Sequence, residues 1–369
     1  MNVPFLDLAA QYDEVADQIR LGLDAVFART AFVGGAEVAE FEREYADYLG
    51  VEHCVGVGNG TDALELALRA LGVGPGGEVI LPANTFIATA EAVSAVGATP
   101  VLVDVDEEHL LIDPDAVAAA VTERTRAIVP VHLFGQTAPM GRLVAIATAA
   151  GVPVVEDAAQ SQGARKNGHP AGSLGTVAAT SFYPGKNLGA AGDGGAVMTD
   201  DAELAQRVRV LSAHGSPSKY VHEVVGRNSR LDTVQAVVLL AKLARLEKWN
   251  ELRRGAADRY AELLADVPGV RVPRSAAGNE DVWHLYVVRV ADRDRVLAEL
   301  GAAGIGAGIH YPTPVHLTGA YAHLGLGPGS FPVAERAATE ILSLPMYPHL
   351  SAEQQERVAD ALRRAVRGR

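Results

Sequence analysis

One cysteine, five lysines and a shortage of positive charge set the first limits on this chain. Cys54 alone can form no internal disulfide, which suits a reducing compartment, and beside an apolar strand it reads as a small core residue rather than a reactive thiol. Thirty-two Lys and Arg against 45 Asp and Glu leave a formal charge of −13. Such a field repels a phosphate backbone at long range, which argues against nucleic acid and requires any anionic substrate to meet a local basic site. No apolar run is long enough to cross a bilayer, and the start, Met1 to Asp7, has neither the basic nor the apolar region of a secretory signal. A cytoplasmic protein without a membrane partner is expected. His-Glu-x-x-His, paired-cysteine spacing and Gly-x-Ser-x-Gly are all missing, so no metal and no serine-hydrolase elbow are expected.

What is present is an ordinary globular composition, 49% hydrophobic and 21% charged over 369 residues. That length favours a large domain with a smaller companion. Between about residues 50 and 200, short apolar runs alternate with helix-period stretches, the pattern of parallel strands joined by crossover helices. The strands are read at His53–Val57, Glu78–Leu81, Thr99–Val103, Ala127–Val131, Val152–Glu156, Val177–Phe182 and Gly195–Thr199. A parallel sheet covered on both faces follows, giving a three-layer αβα domain. Asp232 to Leu264, without internal proline, reads as one or two long helices. Beyond it, a strand at His284–Val290 and helices at Asp292–Ala302 and Ala352–Arg364 outline a small α/β unit. The division is placed at 1–249 and 250–369.

Three short segments could carry chemistry. Lys186 stands apart from Lys166, Lys219, Lys242 and Lys248, which read as turn, loop or solvent-face residues. It lies in Ser181-Phe182-Tyr183-Pro184-Gly185-Lys186-Asn187-Leu188-Gly189, after a strand and before a glycine-rich stretch. An amine held there among aromatic and small residues can be desolvated, which lowers its pKa as a Schiff-base lysine requires. Gly56 to Leu64 ends a strand in a glycine-rich turn and opens an amphipathic helix, a terminus suited to a phosphate dianion, with Thr61 able to cap it or bond the ligand. Its spacing fails the dinucleotide fingerprint, because Thr61 holds the third glycine position, and no P-loop lysine follows. Val154 to Gln160 ends an apolar strand in Glu156-Asp157, whose side chains must point to opposite faces. One carboxylate can then enter a site at the sheet's C-terminal edge and pair with a pyridine nitrogen. A surface lysine and a strand-end acid capping the next turn are the ordinary alternatives for two of these segments taken singly, and the glycine-rich turn is a weak signal by itself. The order phosphate turn, acid, lysine is what sets the combination apart.

These segments, with Asn84-Thr85-Phe86-Ile87-Ala88-Thr89, Arg227-Asn228-Ser229-Arg230-Leu231-Asp232 and His310-Tyr311-Pro312-Thr313-Pro314-Val315-His316-Leu317, resemble the DegT-type nucleotide-sugar aminotransferases. That family has fold-type I of the pyridoxal 5'-phosphate enzymes, and the resemblance covers essentially the whole chain. It implies that Lys186 forms the Schiff base and shuttles the substrate proton, while Asp157 pairs with the pyridine nitrogen. By the same resemblance Gln160 lies near the ring hydroxyl, Phe86 stacks on the ring, and Gly60, Thr61 and Ser181 hold the phosphate. Asn228 is implied to reach the phosphate of the neighbouring subunit's cofactor in a homodimer. His310, Tyr311 and His316 are implied to form a sugar-side loop, for which a proline-rich turn with incidental histidines is the alternative.

The activity implied is ping-pong transfer of an amino group, from L-glutamate, to a nucleotide-linked keto-sugar, with dTDP the expected nucleotide. The form of the Lys186 segment and of the sugar-side loop is more like enzymes acting on 3-keto than on 4-keto sugars. Rival readings are a non-catalytic cofactor- or sugar-binding sensor and a sugar dehydratase. Lys186 counts against the dehydratase, where the resemblance leads us to expect histidine, and the intact set of Lys186, Asp157 and Ser181 counts against the sensor.

Overall fold

A computed structural model of the chain describes residues 2–368. Its main sheet contains β1 (His53–Val57), β2 (Glu78–Pro82), β3 (Thr99–Val103), β4 (Thr125–Ile128), β5 (Val155–Asp157), β6 (Val177–Ser181) and β7 (Gly195–Thr199). Ladders give the orders β1-β7-β6-β5 and β3-β2-β4. Parallel bridges Ile128–Val154 and Val131–Asp157 join the two parts between β4 and β5. These strands are buried nearly throughout, with Val79, Ile80, Leu81, Val155 and Val197 wholly inaccessible. That is why they read as apolar runs instead of alternating ones.

One strand departs from the expected parallel arrangement. β7 runs antiparallel to both β1 and β6. Parallel neighbours need a crossover, usually a helix, to return the chain to the same end of the sheet. Residues 182–194 form no helix, so the chain turns back beside the strand it has just left. Lys186 lies in that turn and therefore stays at the end of β6.

The helix after β1, α1 (Gly60–Ala70), buries Ala63, Leu64, Leu66, Ala67 and Leu68. Each of its leucines contributes about 1.5–3 kcal/mol by leaving water. Asn59 caps its start, accepting the Asp62 N–H at 2.8 Å through Oδ1. A second helix, α2 (Ile87–Ala95), follows β2. The proline-free stretch read as one or two long helices forms one, α3 (Thr233–Leu264). Its first half packs Ala236, Leu239, Leu243 and Leu246 on the face that also holds Phe41, Tyr45 and Phe182. Its second half sends Ala256, Ala257, Tyr260 and Leu264 into a separate core. The division placed at 249/250 thus falls inside a helix that serves both cores.

That second core is covered by a small antiparallel sheet of Val270–Arg271, β8 (Tyr286–Val290) and β9 (Ile341–Leu344). Two helices, α4 (Arg293–Ala302) and α5 (Ala352–Arg367), pack with it. Ser351 opens α5 with a reciprocal capping box to Gln354. The N-terminal segment crosses to this unit through a bridge from Val3 to Ile305. None of the described helices is long and apolar enough to cross a membrane.

Candidate active site

The carboxyl ends of β5 and β6 and the start of α1 converge on a cavity of about 460 Å³. Gly60, Thr61, Phe86, Asp157, Gln160, Ser181, Lys186, His310 and Tyr311 all line it. The structure therefore brings together nine of the eleven residues singled out in the sequence. The other two lie elsewhere. Asn228 is exposed, and its Oδ1 accepts from Arg230 Nε at 3.0 Å. It is presented outward because its neighbours bind the start of α1: Arg227 pairs with Glu65 and Asp62, and Ser229 donates to Asp62 at 2.6 Å. His316, expected on the sugar side, is instead buried against Phe331, and its Nε2 lies 3.0 Å from Glu335. The short 3₁₀ turn Val315–Leu317 carries its ring away from the cavity.

At the mouth of α1 two glycines permit close backbone approach. A Cβ on Gly60 would lie 2.6 Å from Ser181 Cβ, and one on Gly195 would lie 2.5 Å from the carbonyl of Asn59. The first amides of a helix have no intrahelical acceptor, so those of Gly60 and Thr61 remain free to bind an anion beside the Ser181 hydroxyl.

Glu156 and Asp157 point to opposite faces of the sheet. Glu156 is wholly buried and accepts from the amides of Gly172, Leu174 and Gly175 at 2.7–2.8 Å, with His132 Nε2 at 2.7 Å. Asp157 enters the cavity, where Oδ2 accepts from Thr89 at 2.8 Å and Oδ1 from the Ala159 amide at 3.2 Å. Burial raises its pKa, while the Thr89 hydroxyl, the Ala159 amide and the positive charge of Lys186 pull the other way. Lys186 is moved to about 8, chiefly by desolvation and against the opposing pull of Asp157.

Gln160 bridges the two units. Its Oε1 accepts from the Phe134 amide at 2.7 Å, and its Nε2 donates to the Tyr311 hydroxyl at 3.1 Å. The Tyr311 ring lies 5.3 Å from that of Phe86, which is half exposed at the mouth. His310 stacks on Phe5 and shares a 2.8 Å hydrogen bond with Ser343 Oγ. Burial and then the charge of Lys186 lower its pKa to about 4, so it is neutral at neutral pH. Three contributors were given no role from the sequence. Thr89 and Tyr183 lie within the quoted segments and His284 opens a strand, but none stands out by itself; Thr89 is the third residue of α2, where its facing toward β5 depends on packing.

A sequence model of the DegT/DnrJ/EryC1/StrS aminotransferase family matches residues 14–363. The chain belongs to this family. Among DegT/DnrJ/EryC1/StrS proteins, it is 52% identical to the erythromycin biosynthesis sensory transduction protein EryC1 of Saccharopolyspora erythraea, over 98% of this chain and 99% of that one. It is 50% identical to a dTDP-3-amino-3,4,6-trideoxy-alpha-D-glucose transaminase of Streptomyces venezuelae, over 98% and 96%. DesV of S. venezuelae, solved in complex with a ketimine intermediate, superposes with a TM-score of 0.97 at 49% identity, covering 99% of both chains. As a member of this family the protein is an aminotransferase, and its cofactor is pyridoxal phosphate. The residues present fit that group: a cradle that a Cβ on Gly60 would fill, a buried carboxylate at one side and a desolvated lysine in the same cavity.

Proposed function

We propose that this cavity transfers an amino group from L-glutamate to a nucleotide-linked keto-sugar, with dTDP as the nucleotide and the 3-keto sugar as the acceptor. The observation that carries this reading is one cavity shared by a desolvated lysine, a buried carboxylate and an open helix start. Pyridoxal phosphate supplies an electron sink for the carbanion formed at the amino acid α-carbon. Gly60, Thr61 and Ser181 would hold its phosphate, Phe86 would cover its ring and Gln160 would meet its hydroxyl. Asp157 would keep the pyridine nitrogen protonated. Lys186 would hold the cofactor and, as the free amine, would move a proton between the substrate carbon and the cofactor carbon, taking it from one and giving it to the other. An amine with a pKa near 8 can do both. His310 and Tyr311, delivered by the 250–369 unit, meet the sugar.

Two further elements belong to the same reading. The chain acts as a homodimer in which Asn228 serves the neighbouring subunit's phosphate, a role supported by its outward position beside the start of α1. Preference for the 3-keto position is supported by the 50% identical Streptomyces venezuelae transaminase, whose amino-sugar carries its nitrogen at C3. Incubation with L-glutamate and matched 3-keto and 4-keto dTDP-sugars tests the reading. Amino-sugar from the 3-keto compound alone is expected. Turnover of the 4-keto compound alone overturns the ring position, and turnover of neither with a competent amino donor moves the sensor reading forward.

A further inference from the structure

Directly behind Lys186, a line of buried amides runs away from the cavity. Asn187 is 1% exposed; its Nδ2 donates to Asn250 Oδ1 at 2.9 Å and to the Val282 carbonyl at 3.0 Å. Asn250, wholly buried, donates its Nδ2 to the Gln162 carbonyl at 2.9 Å. Gln162 Nε2 in turn donates to the Ser181 carbonyl at 2.8 Å. Backbone carbonyls only accept, so the Gln162 and Val282 carbonyls fix which way both asparagine amides face. Asn187 Oδ1 is then left facing His284 Nδ1, 3.2 Å away. An amide oxygen cannot donate, so Nδ1 must carry the proton. In the neutral ring this makes Nε2 the acceptor. His284 lines the same cavity as Lys186.

We propose that Asn187 locks His284 in its Nδ1–H tautomer and that His284 Nε2 accepts a hydrogen bond from the Lys186 amine, aiming the lone pair of the free amine at the substrate proton. Asn187 acts through His284 and is a positioning residue. The proposal rests on Lys186 being the reacting amine. Burial, and then the nearby charges of Lys186 and Arg253, hold the His284 pKa well below its ordinary value, so the ring stays an acceptor at neutral pH. A buried polar chain is rigid where its members are satisfied, and the links of Asn187 and Asn250 each end on a fixed carbonyl or on the next amide, whereas Gln162 Oε1, at the end remote from His284, has no partner. Close packing reinforces it: a Cβ on Gly163, whose φ is +93°, would lie 2.4 Å from Asn250 Nδ2.

The test has two readouts. In protein labelled with ¹⁵N-histidine and free of cofactor, the His284 signals are identified by their loss in His284→Gln. They should show the neutral Nδ1–H tautomer throughout the range where free imidazole titrates, and Asn187→Leu should admit the Nε2–H form. An Nε2–H or charged ring in the wild type overturns the proposal. In single turnovers with α-deuterated amino donor, His284→Leu should slow proton transfer roughly ten- to a hundredfold and raise the primary isotope effect. His284→Gln, which keeps an acceptor oxygen, should recover most of that loss. Equal rates in wild type, Leu and Gln variants, or no recovery with Gln, also overturn it. A wild type that keeps the tautomer but reacts with no amino donor instead removes the amino-transfer reading on which the proposal stands.

Discussion

Thr89 donates its hydroxyl to Asp157 Oδ2 at 2.8 Å, across a sequence separation of 68 residues. Thr85 Oγ1 lies 2.8 Å from Thr89 Oγ1, so the two hydroxyls form a short relay into a buried carboxylate. A hydrogen bond to a charged group contributes about 1.5–3 kcal/mol. Thr89→Val should raise the Asp157 pKa further and weaken pyridoxal phosphate binding by about tenfold or more. Equilibrium titration of the cofactor by absorbance measures it, and unchanged affinity would show that this bond does not support the carboxylate's role.

Lys186 links function to stability. Its folded pKa of about 8 is below the ordinary value of 10.5, so the charged form is penalised on folding. Its favourable contribution is complete above 10.5 and is lost as pH falls through about 8. Cofactor-free Lys186→Met should be more stable than wild type at neutral pH, by about 3 kcal/mol. The advantage should fade between pH 8 and 10.5, and thermal melts across that interval test the sign.

The same pKa sets a rate. Only the neutral amine attacks the cofactor aldehyde. Appearance of the visible Schiff-base band on mixing with pyridoxal phosphate should therefore quicken with pH and level off above about 8. Lys186→Ala should form no such band, and stopped-flow absorbance across pH reads both outcomes.

At the proposed phosphate cradle, Gly60→Ala places a methyl group 2.6 Å from Ser181 Cβ. Overpacking of this kind costs about 1–3 kcal/mol. The start of α1 should move off Ser181, and cofactor affinity should fall more than in Gly74→Ala, where the added carbon meets only the Val96 carbonyl at 3.8 Å. Comparing dissociation constants of the two variants separates a cradle effect from a general loss of stability.

The two histidines of the proposed sugar-side segment should behave differently. His310→Ala removes a neutral ring from the cavity and should raise KM for the sugar. His316→Ala breaks a buried contact with Glu335 and Phe331, so it should lower thermal stability with KM unchanged. Steady-state kinetics and melting of both variants decide between these roles.

Local chemistry was enough to reveal several strands and three segments of the cavity wall, though not the helices Leu8–Asp13, Ala16–Arg29 and Ala36–Leu49. The spans His53–Val57, Thr99–Val103 and Gly195–Thr199 coincide with β1, β3 and β7, because apolar runs bounded by turn residues report burial directly. The phosphate turn, the Glu156-Asp157 pair and the isolated Lys186 could be read because helix starts, strand alternation and lysine scarcity are properties of a few consecutive residues. Tertiary structure alone decided the reversal of β7, the partnership of Thr89 with Asp157, the turning of His316 toward Glu335 and the line from Asn250 through Asn187 to His284. Each of these depends on which side chains meet after distant segments pack. Periodicity along the chain determines the face a residue occupies but not the partner it finds there.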